Sequence, residues 1–307
     1  MHAPPAKGPS GPGERSARFG TEPSHGACSA RKVCGLKHIL ILALATAGAS
    51  AVASPFATQV VSYAQGSNAN GSYTNAANAL GSASRMTGLG DFISGVTPFN
   101  PPFATNQLVS IGSGGHLTLG FEQEIVNGAT HRFGVDLIVF SNAFFVDQSF
   151  FDTNPTNDGS GVLGPNPAVF GSSGIADIYV SADGQDWRLA SATSLNLFPT
   201  LGYSDFTETT PLTPGTVETD FTRAMDPTMT PGSLSGLSFA ELIDLYDGSG
   251  GGVGIDISGT GLDFARFVRI ENNSASAFNI DAVAVVPAPG AVAFGVFGLA
   301  FAARRRR

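Results

Sequence analysis

Apolar residues between positions 54 and 286 come in short runs, interrupted about every ten residues by Gly, Ser, Asn, Thr and Pro, the spacing of strands joined by turns. Leu117, Leu119 and Phe121 alternate with Thr118 and Gly120, the period of a half-buried strand. Residues 135–140 (VDLIVF) are apolar but for Asp136. Residues 175–181 (IADIYVS) run into Ala182-Asp183-Gly184, where Asp-Gly signals a tight turn, and the chain returns through Trp187, Arg188 and Leu189. Residues 264–270 (FARFVRI) and 280–286 (IDAVAVV) supply two closing strands. The pattern predicts an all-β domain, an antiparallel β-sandwich or jelly roll. One helix interrupts it. Ser238 and Glu241 form a capping box, Phe239, Leu242, Ile243 and Tyr246 share one face, and Gly248 ends the element; this helix is expected to plug an open end of the sandwich.

The two ends of the chain follow other rules. Residues 38–53 (HILILALATAGASAVA) are an apolar stretch behind Arg31, Lys32 and Lys37 that closes in Ala51-Val52-Ala53, a signal-peptidase site. A signal helix cleaved after Ala53 is predicted, with Ala57 as the second choice. The segment before it is long for such a leader, so a translation start near Val33 or Leu36 and a genuine N-terminal extension are both open. At the other end, Val286-Pro287-Ala288-Pro289-Gly290 precedes an apolar run, 291–303, and then Arg304, Arg305, Arg306 and Arg307. The run is shorter than the ~20 residues of a full span. A helix there enters a membrane shallowly, with the arginines on the cytoplasmic side. The divisions are therefore a leader (1–53), a sandwich domain (54–286) and a tail (287–307).

Composition narrows the chemistry. Both cysteines, Cys28 and Cys34, lie in the leader, which leaves the domain without disulfides or thiol nucleophiles. Setting leader and tail aside leaves six arginines and no lysine against 22 acids, a net charge of −16. A field of that sign disfavours nucleic acid and anionic membranes and favours cations. His116 and His131 have no neighbours at zinc-site spacing and read as strand-edge and loop residues; no G-x-S-x-G elbow is present. The run 248–254 is glycine-rich but lacks the Lys-Ser/Thr of a phosphate loop. No carboxylate pair is marked out for hydrolysis, and the domain reads as non-enzymatic. Asp136 and Asp281 interrupt apolar strands, where an uncompensated charge is costly. Each faces solvent, pairs with an arginine such as Arg269, or ligates calcium. The acidic loop 147–159, with Asp152, Asn154, Asn157 and Asp158, misses the EF-hand spacing and reads as a solvated loop.

The small/Pro hinge, short apolar run and terminal arginines resemble the PEP-CTERM sorting domain, whose tripeptide is Pro-Glu-Pro where this chain has Pro287-Ala288-Pro289. The resemblance implies processing near the hinge by an exosortase-type membrane enzyme, after transient inner-membrane insertion, and delivery to the cell surface or extracellular matrix. A plain C-terminal anchor, or a buried helix with a basic tail, is the alternative. Ser181-Ala182-Asp183-Gly184-Gln185-Asp186-Trp187 is similar to the S-x-D-G-x-x-W hairpin of discoidin and coagulation-factor type C domains, and Phe267-Val268-Arg269-Ile270 to their late F-V-R-I strand. Those domains are galactose-binding-like jelly rolls. The order of 135–145, 197–206, 245–257 and 279–286 around that hairpin looks like PEP-CTERM-associated surface proteins. By analogy with such folds, Asn75, Asn78 and the Leu80 carbonyl would join Asp281 around a structural Ca2+. The implied function is an exported, surface-sorted, non-enzymatic protein that binds exopolysaccharide, with Phe99, Phe103, Phe144, Phe145, Phe150 and Phe151 available for stacking on sugars. A purely structural or adhesive surface protein is the competing class, and a glycan-active hydrolase the third. Implied partners are signal peptidase, an exosortase-type enzyme and extracellular polysaccharide, with no nucleic acid.

Overall fold

The computed structural model describes residues 53–90, 95–145, 169–170, 174–206 and 215–287, and the leader, the tail from residue 288, the loop 147–159 and Phe150 and Phe151 lie outside them. The strands are β1 (Gln59–Ala64), β2 (Val109–Ile111), β3 (His116–Val126), β4 (Leu137–Ser141), β5 (Phe144–Phe145), β6 (Val169–Phe170), β7 (Ile175–Ser181), β8 (Arg188–Ser194), β9 (Val253–Ile255), β10 (Phe264–Asn272) and β11 (Phe278–Val285), with one α-helix, α1 (Phe239–Tyr246). They form a five-stranded sheet, β1-β3-β10-β7-β8, a four-stranded sheet, β2-β11-β4-β9, and the small pair β5-β6. Every pairing is antiparallel. The predicted all-β sandwich is the observed fold.

Alternation along the strands places the core. Leu117 and Leu119 of β3, Ile178 and Val180 of β7 and Val268 and Ile270 of β10 meet Val109, Ile111, Leu137, Val139, Phe278, Ile280, Val283 and Val285 from the other sheet. The hairpin read from Asp183-Gly184 joins β7 to β8. Asp183 Oδ1 accepts from the amides of Gln185 and Asp186, and Gly184 takes a positive φ of 76°. The four-stranded sheet is covered on its second face as well. Ile138, Phe140, Ala282 and Ala284 pack there against Phe221 and Ala224. All eight residues of β11 are therefore buried, which explains its nearly unbroken apolar run.

Helix α1 is capped as the sequence predicts, with the Ser238 hydroxyl accepting from the Glu241 amide and Glu241 Oε2 accepting from the Ser238 amide. Its apolar face packs on Phe99, Phe198, Leu201 and Met225. The helix thus closes a second core built from loops instead of plugging the inter-sheet core. Asp247 makes the C-cap in a left-handed conformation (φ 48°), and Gly248, at φ 75°, follows it where the helix ends. The glycine run that follows is needed for close approach: a Cβ on Gly252, already at φ 81°, would come within 2.5 Å of Ile138 Cγ2. Its amides are engaged too, Gly250 donating to the Asp220 carbonyl, Gly251 to Ser249 Oγ and Gly252 to the Phe198 carbonyl. No helix among the described residues is long and apolar enough to cross a membrane. The two ends of the domain lie side by side: the Val285 amide donates to the Pro55 carbonyl, Ala57 to Val283, and Val286 to Asp136.

Candidate functional site

Asp281 sits at a register shift in β11, between Ile280 and Ala282, and is 2% exposed. Among the described residues it neither faces solvent nor meets an arginine. Ser84 holds it, the amide donating to Oδ2 at 2.7 Å and the hydroxyl to Oδ1 at 2.8 Å. Arg269 belongs to the other sheet and pairs with Glu271 at 2.6 Å. Burial pushes the Asp281 carboxyl up to about 7, against the two Ser84 hydrogen bonds, which lower it. The 3-10 turn Ala76–Ala79 packs on β11. Within that turn Asn75 Oδ1 accepts from the Ala77 amide, and Asn75 Nδ2 donates to Asn78 Oδ1 at 3.0 Å. Asn78 Nδ2 donates to the carbonyls of Thr105 and Leu108, and the Leu80 amide to that of Ala77. Among the described residues, no three His, Cys, Asp or Glu side chains stand together as a metal-binding group.

Asp136 is a second correction, because its partner is the residue read as a loop histidine. His131 Nδ1 stands 2.8 Å from Asp136 Oδ1, and both side chains are buried. The same carboxylate accepts from the amides of Gly128 (3.0 Å) and Ile257 (2.9 Å). His131 Nε2 is enclosed without a hydrogen-bond partner among the described residues. The pair has the elements of an Asp–His base, but its burial keeps substrate away. Its i, i+5 spacing across a turn matches no motif, which is why sequence reading passed over it.

Directly above this pair, the 3-10 turn Arg132–Gly134 puts charged and aromatic groups on the surface. Phe133 is 46% exposed at a positive φ of 58°. The Arg132 guanidinium lies 4.9 Å from its ring centroid and donates to Asp247 Oδ2 at 2.9 Å, an oxygen that also accepts from Arg223. Arg223 and then Arg132 hold the Asp247 carboxyl below the usual carboxylate range. The hydroxyl and amide of Thr228 do the same for Asp226, with Arg132 adding to it. Arg132 Nη1 and Arg223 Nε have no partner among the described residues. Those two nitrogens are buried, but the charged heads and a partly exposed aromatic ring adjoin, an arrangement that suits a polyhydroxylated ligand.

The phenylalanines expected to stack on sugars lie elsewhere and are less open. Phe99 and Phe145 are buried in the loop core, and Phe103 and Phe144 are half-buried, packed edge to face at 6.3 Å. Phe133 was not singled out from the sequence, where one phenylalanine among 23 carries no signal.

No family model matches the chain, and no curated protein matches it. Among solved structures it is similar to the CBM32 of AlyQ in complex with 4,5-unsaturated mannuronic acid, at 12% identity, over 75% of this chain and 96% of that one, with a TM-score of 0.24.

Asp281 gives a pH prediction. With its carboxyl at about 7 in the fold and 3.8 ordinarily, the native state binds more protons than the unfolded state between those values. Stability therefore falls as pH rises through that window, by up to about 1.4 kcal/mol per unit. Asp281→Asn, which keeps an acceptor for the Ser84 amide and carries no proton to lose, should flatten that decline and be the more stable protein at pH 8. Urea midpoints that run parallel for the two proteins from pH 4 to pH 8 would contradict it.

Proposed function

We propose that residues 54–286 are a non-enzymatic carbohydrate-binding domain that meets extracellular polysaccharide through Phe133, with Arg132 over one face of the ring and Asp247 and Arg223 joined to that guanidinium. The observation that carries this reading is Phe133 itself. A bulky residue in the left-handed region costs on the order of 1–3 kcal/mol, and glycine would avoid most of it. An exposed ring adds a second cost, because its apolar surface stays in water. A side chain with both costs, beside the Arg132 guanidinium, fits contact with the C–H face of a sugar whose hydroxyls reach the neighbouring charges. The purely structural or adhesive class keeps one observation in its favour, the burial of Phe99 and Phe145.

Affinity electrophoresis or calorimetry with a panel of neutral and acidic polysaccharides tests the site. Phe133→Ala should weaken binding about tenfold, the scale of a lost aromatic contact, with the melting temperature nearly unchanged. Undiminished binding by that variant, or no glycan bound by the wild type, removes the reading.

We propose further that the chain is exported through its leader and that an exosortase-type enzyme processes it near Pro287-Ala288-Pro289, which the apolar run and four terminal arginines support. Protein recovered from the cell surface or matrix should lack peptides beyond about Pro289 by mass spectrometry, following the shallow insertion expected of so short a run. Recovery of an intact Arg307 overturns it. A structural Ca2+ is proposed as well, which Asn75, Asn78, the Leu80 carbonyl and Asp281 would hold. Calcium added to chelator-treated protein should then raise the melting temperature of the wild type but not of Asp281→Ala. An unchanged wild-type curve excludes the site.

A further inference from the structure

We propose that the buried His131–Asp136 pair is a positioning device for the Arg132–Phe133 turn, a role that rests on Phe133 being the ligand contact. A strained residue persists only where its surroundings over-determine it, so the strain at Phe133 calls for a fixed base. The structure supplies one. His131 is the N-cap residue of the turn and Asp136 follows its end, and their side chains meet at 2.8 Å. The four residues between them therefore form a loop closed by one side-chain hydrogen bond.

That contact is anchored from several directions. The Asp136 carboxylate takes the Gly128 amide from the end of the β3 connection and the Ile257 amide from the segment after β9. Its backbone accepts from Val286 and donates to Ile255. The imidazole is fixed in turn, because a Cβ on Gly128 would lie 2.5 Å from His131 Nε2, so only glycine leaves room for the ring. The His131 amide donates to the Gly128 carbonyl at 2.9 Å, and the Gly134 amide to that of His131 at 3.0 Å. Apart from the bond of the Val135 amide to the Arg132 carbonyl (3.2 Å), the hydrogen bonds described at the turn's base run through residues 128, 131 and 136, and none of them through Phe133. The exposed ring contributes little to its own geometry, which suits a contact residue held ready by a buried support.

The test separates positioning from simple stability. In the folded full-length protein, His131→Leu removes the donor and keeps an apolar side chain, while His131→Asn restores a donor near the position of Nδ1. Chymotryptic cleavage after Phe133 should rise about tenfold in His131→Leu, the population change expected when a turn loses a support of this kind, and return toward the wild-type rate in His131→Asn. Glycan affinity should fall and recover in parallel. If His131→Leu does not fold, Gly128→Ala, which displaces the ring, replaces it. Folded His131→Leu or Gly128→Ala protein with wild-type cleavage at Phe133 overturns the positioning role. Increased cleavage rescued by His131→Asn, in a protein that binds no glycan, upholds the support and removes only the carbohydrate reading.

Discussion

A strand buried on both faces has no solvent side on which to place a polar residue, and β11 is such a strand. It lies between β2 and β4, with the inter-sheet core on one face and the Phe221 layer on the other. Its one charge-bearing residue, Asp281, can be kept only with local compensation, and the register shift beside it turns the carboxyl toward Ser84. The next residue after Ser84 is Arg85, which donates to the carbonyls of Gly202 and Thr219 and stands 4.2 Å over the Phe221 ring. A single bulge in the central strand is thus tied to the loops that cover it.

Local rules were the legible ones. The Asp183-Gly184 turn, the Ser238–Glu241 cap and the apolar face of α1 depend on residues within a few positions of one another, and each stands where the pattern put it. The β-sandwich follows from the same alternation. What escaped reading depends on separation. Ser84 lies 197 positions from Asp281, and nothing in either neighbourhood announces the other. His131 and Asp136 are close in sequence, yet their meeting requires a 3-10 turn with an inner left-handed residue, which composition does not encode. The position of α1 failed for a related reason: its apolar face was evident, but its loop partners at Phe99, Phe198 and Met225 were not.

The two buried carboxylates show different solutions to one cost. The Asp136 carboxylate accepts amides from two segments and meets an imidazole, so three fixed hydrogen bonds surround it. Among the described residues Asp281 has only the two donors of one serine, and burial drives it toward its protonated form. The surface carboxylate Asp247 meets two guanidiniums while more than half exposed, where such a contact contributes little to stability. Its worth lies in geometry, since it fixes the heads of two of the six arginines in an otherwise acidic domain.

Because β11 is the last strand of the domain and also an inner one, synthesis order and sheet order conflict. β2 and β4 are made long before the strand that joins them, and the first residues, Pro55 to Ala57, bond to the segment made last. A chain emerging from its N-terminus can assemble the five-stranded sheet through β10, but the four-stranded sheet has no middle until residues 278–285 arrive. Contacts of such long sequence separation form late and slowly. A product that stops short of β11 leaves β2 without its partner and β4 with an open edge, and exposes the inner faces of both strands to other chains.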